Sequence, residues 1–97
     1  MTPEPDTPEP VTYELVLTPP AVRAIQSRLG EQVAAAVVEF MTGPLVENLR
    51  RVGKELRRDL AGVWSARRGT YRVLYRINEE DQEVVVVRID HRRDVYR

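Results

Sequence analysis

The stretch from Trp64 to Ile77, WSARRGTYRVLYRI, constrains the fold of this chain more than any other. Apolar and polar residues alternate on both sides of Gly69. Successive side chains of a strand point to opposite faces, and a glycine supplies the positive φ that a tight two-residue loop needs. The alternation predicts a β-hairpin looped at Arg68-Gly69. Arg67 then pairs with Thr70, Ala66 with Tyr71, Ser65 with Arg72, and Trp64 with Val73. One face collects Trp64, Ala66, Tyr71, Val73, Tyr75 and Ile77, an apolar surface for helices to cover. The other collects Val63, Ser65, Arg67, Thr70, Arg72, Leu74 and Arg76. A sheet surface lined with guanidinium groups points to an anionic ligand.

The hairpin continues a basic segment. Residues 50–76 hold nine basic residues against two acidic ones. The net charge of zero conceals a split, with −5 in residues 1–49 and +5 in residues 50–97. Such asymmetry is a mark of nucleic-acid binding, although a well-solvated surface produces it too. Fourteen of the fifteen basic residues are arginine, whose planar fork of donors matches phosphate better than the point charge of lysine.

Other classes are bounded quickly. A chain of 97 residues is one domain with a modest core. Without cysteine it has no disulfide or thiolate metal site, and His91 alone cannot build a histidine metal site. No cofactor is expected. No apolar run nears the ~20 residues of a membrane span, and no signal-peptide pattern opens the chain. The expected location is the cytoplasm.

Along the chain, residues 1–10, MTPEPDTPEP, read as a disordered acidic, proline-rich tail, and residues 11–97 as the folded domain. Residues 11–17 read as a strand. Thr18 is placed to cap a helix opened by Pro19-Pro20, with Val22, Ile25 and Leu29 on one stripe and Gly30 as its stop. Residues 31–42 form a second helix with Val33, Val37, Phe40 and Met41 facing inward, giving an αα-hairpin. Gly43-Pro44 interrupts that pattern, and a basic connecting segment leads to the hairpin. Asn78 to Glu83 is an acidic turn. Val84 to Ile89 reads as a central strand buried on both faces. Asp90 to Arg93 turn the chain, and Asp94 to Tyr96 form a short strand or extended tail. The class is α+β: a small antiparallel sheet with the αα-hairpin packed on one face.

The chain has no phosphate-binding glycine loop, nucleophile elbow, zincin or EF-hand pattern. Its arginines, tyrosines and single histidine suit cleavage of RNA by attack of the 2′-OH on the adjacent phosphate. That reaction needs a base for the attacking hydroxyl, cations around the pentavalent phosphorus and a proton for the leaving 5′-oxygen. Arg72, mid-strand and fixed by register, meets the second need if it does not simply face water. His91 is either a turn residue or a proton carrier, histidine being the side-chain type whose charge changes nearest neutral pH. Tyr96 is either a packing lid or a proton carrier. Tyr71, Tyr75 and Trp64 read as core.

Three motifs in order, R-x-G-K-x-L at 51–56, G-x-Y-R-V-x-Y at 69–75 and H-R-x-D-V-Y at 91–96, resemble the RelE-type toxins of bacterial type II toxin–antitoxin modules. Within the RelE/ParE superfamily the likeness is to the actinobacterial RelE-like subgroup, and it spans residues 11–97. The resemblance implies a metal-independent, ribosome-dependent endoribonuclease that cuts translated mRNA and inhibits translation. It implies a RelB-like antitoxin as partner, and binding of operon DNA only as the toxin–antitoxin complex. By the motifs, Arg72 binds and stabilises the reacting phosphate, Arg67 is a basic position on the preceding strand, and Tyr96 stacks or moves a proton. His91 and Arg92 fall in a segment of catalytic importance. Lys54, Arg57, Arg58, Arg68 and Arg92 are expected to grip RNA of the ribosome. Val63 and Ser65 stand where a well-studied member has two catalytic lysines, so the general base is open between His91 and a shift of Arg67 and Arg68. The alternatives are a ParE-like toxin that inhibits DNA gyrase without nuclease activity, and a non-catalytic RNA-binding module.

Overall fold

The computed structural model describes residues 12–91. Strand β1, Glu14–Leu17, leads into helix α1, Pro19–Arg23, which widens into a π-type turn over Ala24–Arg28. Helix α2, Glu31–Phe40, likewise runs into a π-type turn, Met41–Leu45. Then come β2, Lys54–Glu55, a 3-10 turn at Arg58–Leu60, β3, Trp64–Arg68, β4, Tyr71–Asn78, and β5, Glu83–His91. The strands form one sheet in the order β1-β5-β4-β3-β2. The α+β class is as expected, and every pair is antiparallel except the edge pair β1–β5. That pair is parallel because two helices, not a tight turn, follow β1.

The helices cover one face of the sheet. Ala21, Ala24, Leu29, Val37, Phe40, Met41 and Leu45 pack against Ala66, Val73, Tyr75, Val84, Val86 and Ile89. Tyr75 is fully buried, and its hydroxyl donates to the Leu49 carbonyl, so a large ring enters the core with its polar end satisfied. Burial lifts the phenol from 10.0 to about 12. Trp64 stacks on this ring at 6.3 Å between centroids.

Several sequence expectations are refined. The hairpin loop is Gly69-Thr70, one residue later than expected, so Arg68 pairs with Tyr71, Arg67 with Arg72, Ala66 with Val73 and Trp64 with Tyr75. Gly69 takes the first loop position with φ +55°, where a side chain is disfavoured. Partners move by two residues, an even step, so each side chain keeps the face the alternation assigned. The segment read as a basic connector contains β2, whose Lys54 opposes Ser65 and Glu55 opposes Trp64. Pro44 does not end the second helix; it lies inside the π-type turn, where the lost i−4 bond matters less. The proline-rich tail and the strand expected at 94–96 lie outside the described residues.

Strand β5 differs most from its reading. Val84, Val86 and Ile89 are buried, Val85 and Val87 are half-buried, and Arg88 is exposed, so the strand is fully covered on one face only. Tyr75 opposes Val86 but Leu74 opposes Arg88, which leaves Val87 as the extra residue of a β-bulge. Thr18 holds the bulge. It sits at the N-cap position of α1, but its hydroxyl makes no cap. It donates instead toward the carbonyls of Val86 and Val87, at 2.9 and 3.1 Å, while its backbone N–H bonds the Val86 carbonyl.

Two stability predictions follow from the Tyr75 anchor. A Cβ at Gly53 would strike the Tyr75 hydroxyl and come within 2.8 Å of the Ser65 carbonyl oxygen. Gly53→Ala therefore lowers unfolding stability by about 1–3 kcal/mol, measured by urea denaturation. Tyr75 has a higher pKa folded than unfolded, so its contribution is complete below about pH 10 and is lost as pH rises toward 12. The stability gap between wild type and Tyr75→Phe shrinks across that window, measured by paired denaturation curves.

Candidate nucleic-acid interface

The face of the sheet away from the helices carries the candidate site. Cross-strand register defines its rows, since directly opposed residues share a face. One row runs Arg67, Arg72, Asp90 across β3, β4 and β5. The next runs Lys54, Ser65, Leu74, Arg88 across β2 to β5. Lys54, Arg67, Arg72 and Arg88 are all exposed. Each of the four antiparallel strands thus contributes one cation to a stripe running across the sheet. Three inter-strand spacings make it roughly 14 Å long. The row at the other end of the face, Glu14, Glu83 and Asn78, carries two acids, so the face is polarised.

Arg67 and Arg72 are directly opposed, an arrangement that costs stability when nothing lies between the charges. Asp90 is the carboxylate beside them, but it is engaged by Arg88, whose Nε lies 2.6 Å from Asp90 Oδ1. No acid among the described residues engages Arg67 or Arg72, which leaves the pair donors for an anion. Arg67 and Arg72 stand exposed among the described residues of the sheet, and a recess of about 660 Å³ lined by Arg50, Glu55, Trp64, Arg76 and Glu79 does not include them. Among the described residues, no group of three or more His, Asp and Glu is gathered as a metal site.

The expected site residues are only partly brought together. Arg67, Arg72 and Lys54 share the stripe. Arg68 lies on the opposite face, its guanidinium 4.8 Å from the centre of the Phe40 ring, a cation–π contact. His91 also belongs to that face, because it opposes Tyr71 in a row with Arg68. Its Nε2 lies 3.2 Å from Thr70 Oγ1, tying the end of β5 to the hairpin loop. Tyr71 meets Phe40 edge-on and reaches the Ala36 carbonyl at 3.4 Å. Burial raises the Tyr71 pKa, with Arg68 lowering it and Glu39 raising it, so the phenol keeps its proton and serves as a donor. Arg57 and Arg58 lie in the β2–β3 connection, at the end of the sheet away from the Gly69-Thr70 loop. Arg92 and Tyr96 lie outside the described residues. Sequence reasoning missed Arg88 and Asp90, because simple alternation gives no sign of the bulge that turns them to this face.

The opposed arginines generate a prediction. Arg67→Thr keeps a strand-forming residue and removes the repulsion. It stabilises the free protein by about 0.2–1 kcal/mol at low salt, the scale of one cross-strand pair. The gain disappears at 1 M salt, where screening acts within ~3 Å. Thermal melts at two ionic strengths check this.

Comparison with known proteins agrees with this geometry. A family model described as the ParE toxin of the type II toxin–antitoxin system parDE matches residues 15–96. Toxin RelG of Mycobacterium tuberculosis is 59% identical over 70 residues, covering 72% of this chain and 80% of RelG. Toxin RelE of the same organism is 48% identical over 85 residues, covering 88% and 87% of the two chains. The crystal structure of the M. tuberculosis toxin–antitoxin complex RelBE2 contains a chain 51% identical to this one, with TM-score 0.82 and coverage of 87% and 95%. A mutant of the E. coli toxin RelE in the free state shares the fold, at TM-score 0.67 and 21% identity over 89% and 92% of the chains. With an arginine-faced sheet, a family match along nearly the whole chain and RelE-named relatives at high identity, the chain belongs to the RelE/ParE family of type II toxin–antitoxin toxins and is of the RelE type.

Proposed function

We propose that this toxin is a ribosome-dependent endoribonuclease that cuts translated mRNA and thereby inhibits translation. The observation that carries the proposal is the stripe of one cation from each of β2 to β5, with Arg67 and Arg72 opposed at its centre. An RNA phosphate between them relieves their repulsion, and its developing charge in the transition state strengthens the attraction. The 2′-oxygen attacks phosphorus as its proton leaves to a base. The P–O5′ bond breaks as an acid protonates the 5′-oxygen. A 2′,3′-cyclic phosphate and a 5′-hydroxyl result, with every group supplied by the chain and no metal.

His91 and Tyr96 are the proton carriers of this mechanism. His91 ends β5 one residue past Asp90, at the hairpin-loop end of the sheet where Arg67 and Arg72 also lie. Its ring lies on the opposite face beside Thr70, so in this mechanism the reacting atoms must lie round the strand end for it to act on them. Lys54 in the stripe, Arg57 and Arg58 at the far end and Arg68 beside the hairpin loop contact ribosomal RNA, and Arg92 is assigned the same role. A RelB-like antitoxin neutralises the toxin, in keeping with the RelBE2 complex of the similar M. tuberculosis protein. Operon DNA is bound by the toxin–antitoxin complex only, and all of this takes place in the cytoplasm. No described helix is long and apolar enough to cross a membrane.

The matching family model takes its name from ParE toxins, so gyrase inhibition is the second reading. The relatives at 48% and 59% identity carry RelE and RelG names, which favours the nuclease.

The test is induced expression in a bacterial host with mRNA 5′ ends mapped along translated frames. Wild type gives in-frame cuts and Arg72→Ala gives none. Arrest with intact mRNA and damaged DNA would instead support gyrase as the target, and binding without cuts or arrest the non-catalytic module. His91→Gln retains a partner for Thr70 but cannot pass a proton to or from a reacting group. It lowers the cleavage rate on purified ribosomes by roughly 10²–10⁴-fold. A loss below tenfold would leave His91 only its contact with Thr70.

A further inference from the structure

We infer that Arg88 forms a second anion subsite of the open face, binding the phosphodiester next to the one held by Arg67 and Arg72, and that Asp90 positions it. The inference rests on the ribonuclease proposal and extends it to the flanking substrate. Arg88 is the diagonal neighbour of Arg72 across β4 and β5, since Arg72 opposes Asp90 and Leu74 opposes Arg88. Diagonal neighbours lie about 7–8 Å apart, a step of the same order as one nucleotide of an extended single strand. A strand crossing the β-strands along the stripe therefore meets Arg72 and Arg88 with successive phosphates.

The ion pair is built for that role. Asp90 takes the Nε of Arg88, at 2.6 Å, from two residues further along the same face. Among the described residues no group takes the outer two nitrogens of the guanidinium. The Arg88 side chain is 66% exposed while Asp90 is 29% exposed, so the carboxylate is sunk and the cation stands above it. A surface ion pair of this kind adds little to stability, which leaves its place beside Arg72 unexplained by folding alone. An arginine already held in one orientation loses less freedom when it binds, and its free fork matches phosphate oxygens. The Thr18-held bulge is what turns both residues to this face.

The experiment is steady-state cleavage on ribosomes programmed with synthetic mRNA. One mRNA carries phosphate throughout, and two others carry a neutral methylphosphonate on one or the other side of the cut. On the all-phosphate mRNA, Arg88→Ala raises KM about tenfold and leaves kcat within about twofold, the pattern of lost ground-state binding. The salt dependence of log(1/KM) flattens by about 0.7, one phosphate contact on a single strand. On one of the two methylphosphonate mRNAs, wild type and Arg88→Ala become equal. Asp90→Asn also raises KM, although it removes a negative charge near the substrate. Melting curves confirm that both variants fold. Equal KM for wild type and Arg88→Ala on all-phosphate mRNA, or a defect of unchanged size on both neutral mRNAs, overturns the subsite. A lower KM for Asp90→Asn overturns the positioning role. A wild type that cuts no mRNA would overturn the ribonuclease proposal itself, and this inference with it.

Discussion

The bulge at Val87, held by the Thr18 hydroxyl, sets the composition of both faces of the sheet near the hairpin loop. Up to Val86 the even-numbered residues of β5 face the helices; beyond it the odd-numbered ones do. One inserted residue thus sends Ile89 into the core and Arg88 and Asp90 to the open face. The same step takes His91 to the side of Tyr71 and Arg68. A single hydroxyl at the start of α1, with two backbone carbonyls in reach, couples the helix pair to the residues that surround Arg72. A β-bulge re-aims side chains at the cost of local pairing, and here it lies next to the proposed site.

The open face shows the opposite economy. Arg67 and Arg72 repel each other, and Asp90, the acid best placed to relieve them, is bound to Arg88. The free protein therefore carries a modest electrostatic cost that an anionic partner removes. In the proposed function that partner is RNA during cleavage, and an acidic or amphipathic antitoxin segment would compete for the same arginines. An exposed stripe of cations suits a substrate presented by another large assembly.

The segment between the helices and the hairpin is organised by Tyr75. Its ring fills the core, its hydroxyl ties Leu49, and Gly53 passes over that hydroxyl with no room for a side chain. The close approach sets the next residues beside β3, and Lys54 thereby joins the stripe opposite Ser65. The chain's one lysine is on this face because of a packing constraint in the core.

The sequence by itself determined the class of fold, the face of each hairpin residue and the basic character of the open surface. These depend on local alternation, on Gly69 and on composition, and a two-residue change in pairing leaves faces untouched. The motifs determined the family. The sequence also put Arg72 and Arg67 together, since both lie in one hairpin. Only the tertiary structure decided that β1 pairs in parallel, that Lys54 forms an edge strand, that His91 faces away from Arg72 and that Arg88 and Asp90 face toward it. Each of these depends on contacts between residues distant along the chain: Thr18 with Val86 and Val87, Gly53 with Tyr75. A period-two pattern read along the chain carries no mark of where its phase slips, because the contact that stabilises the slip comes from another part of the chain.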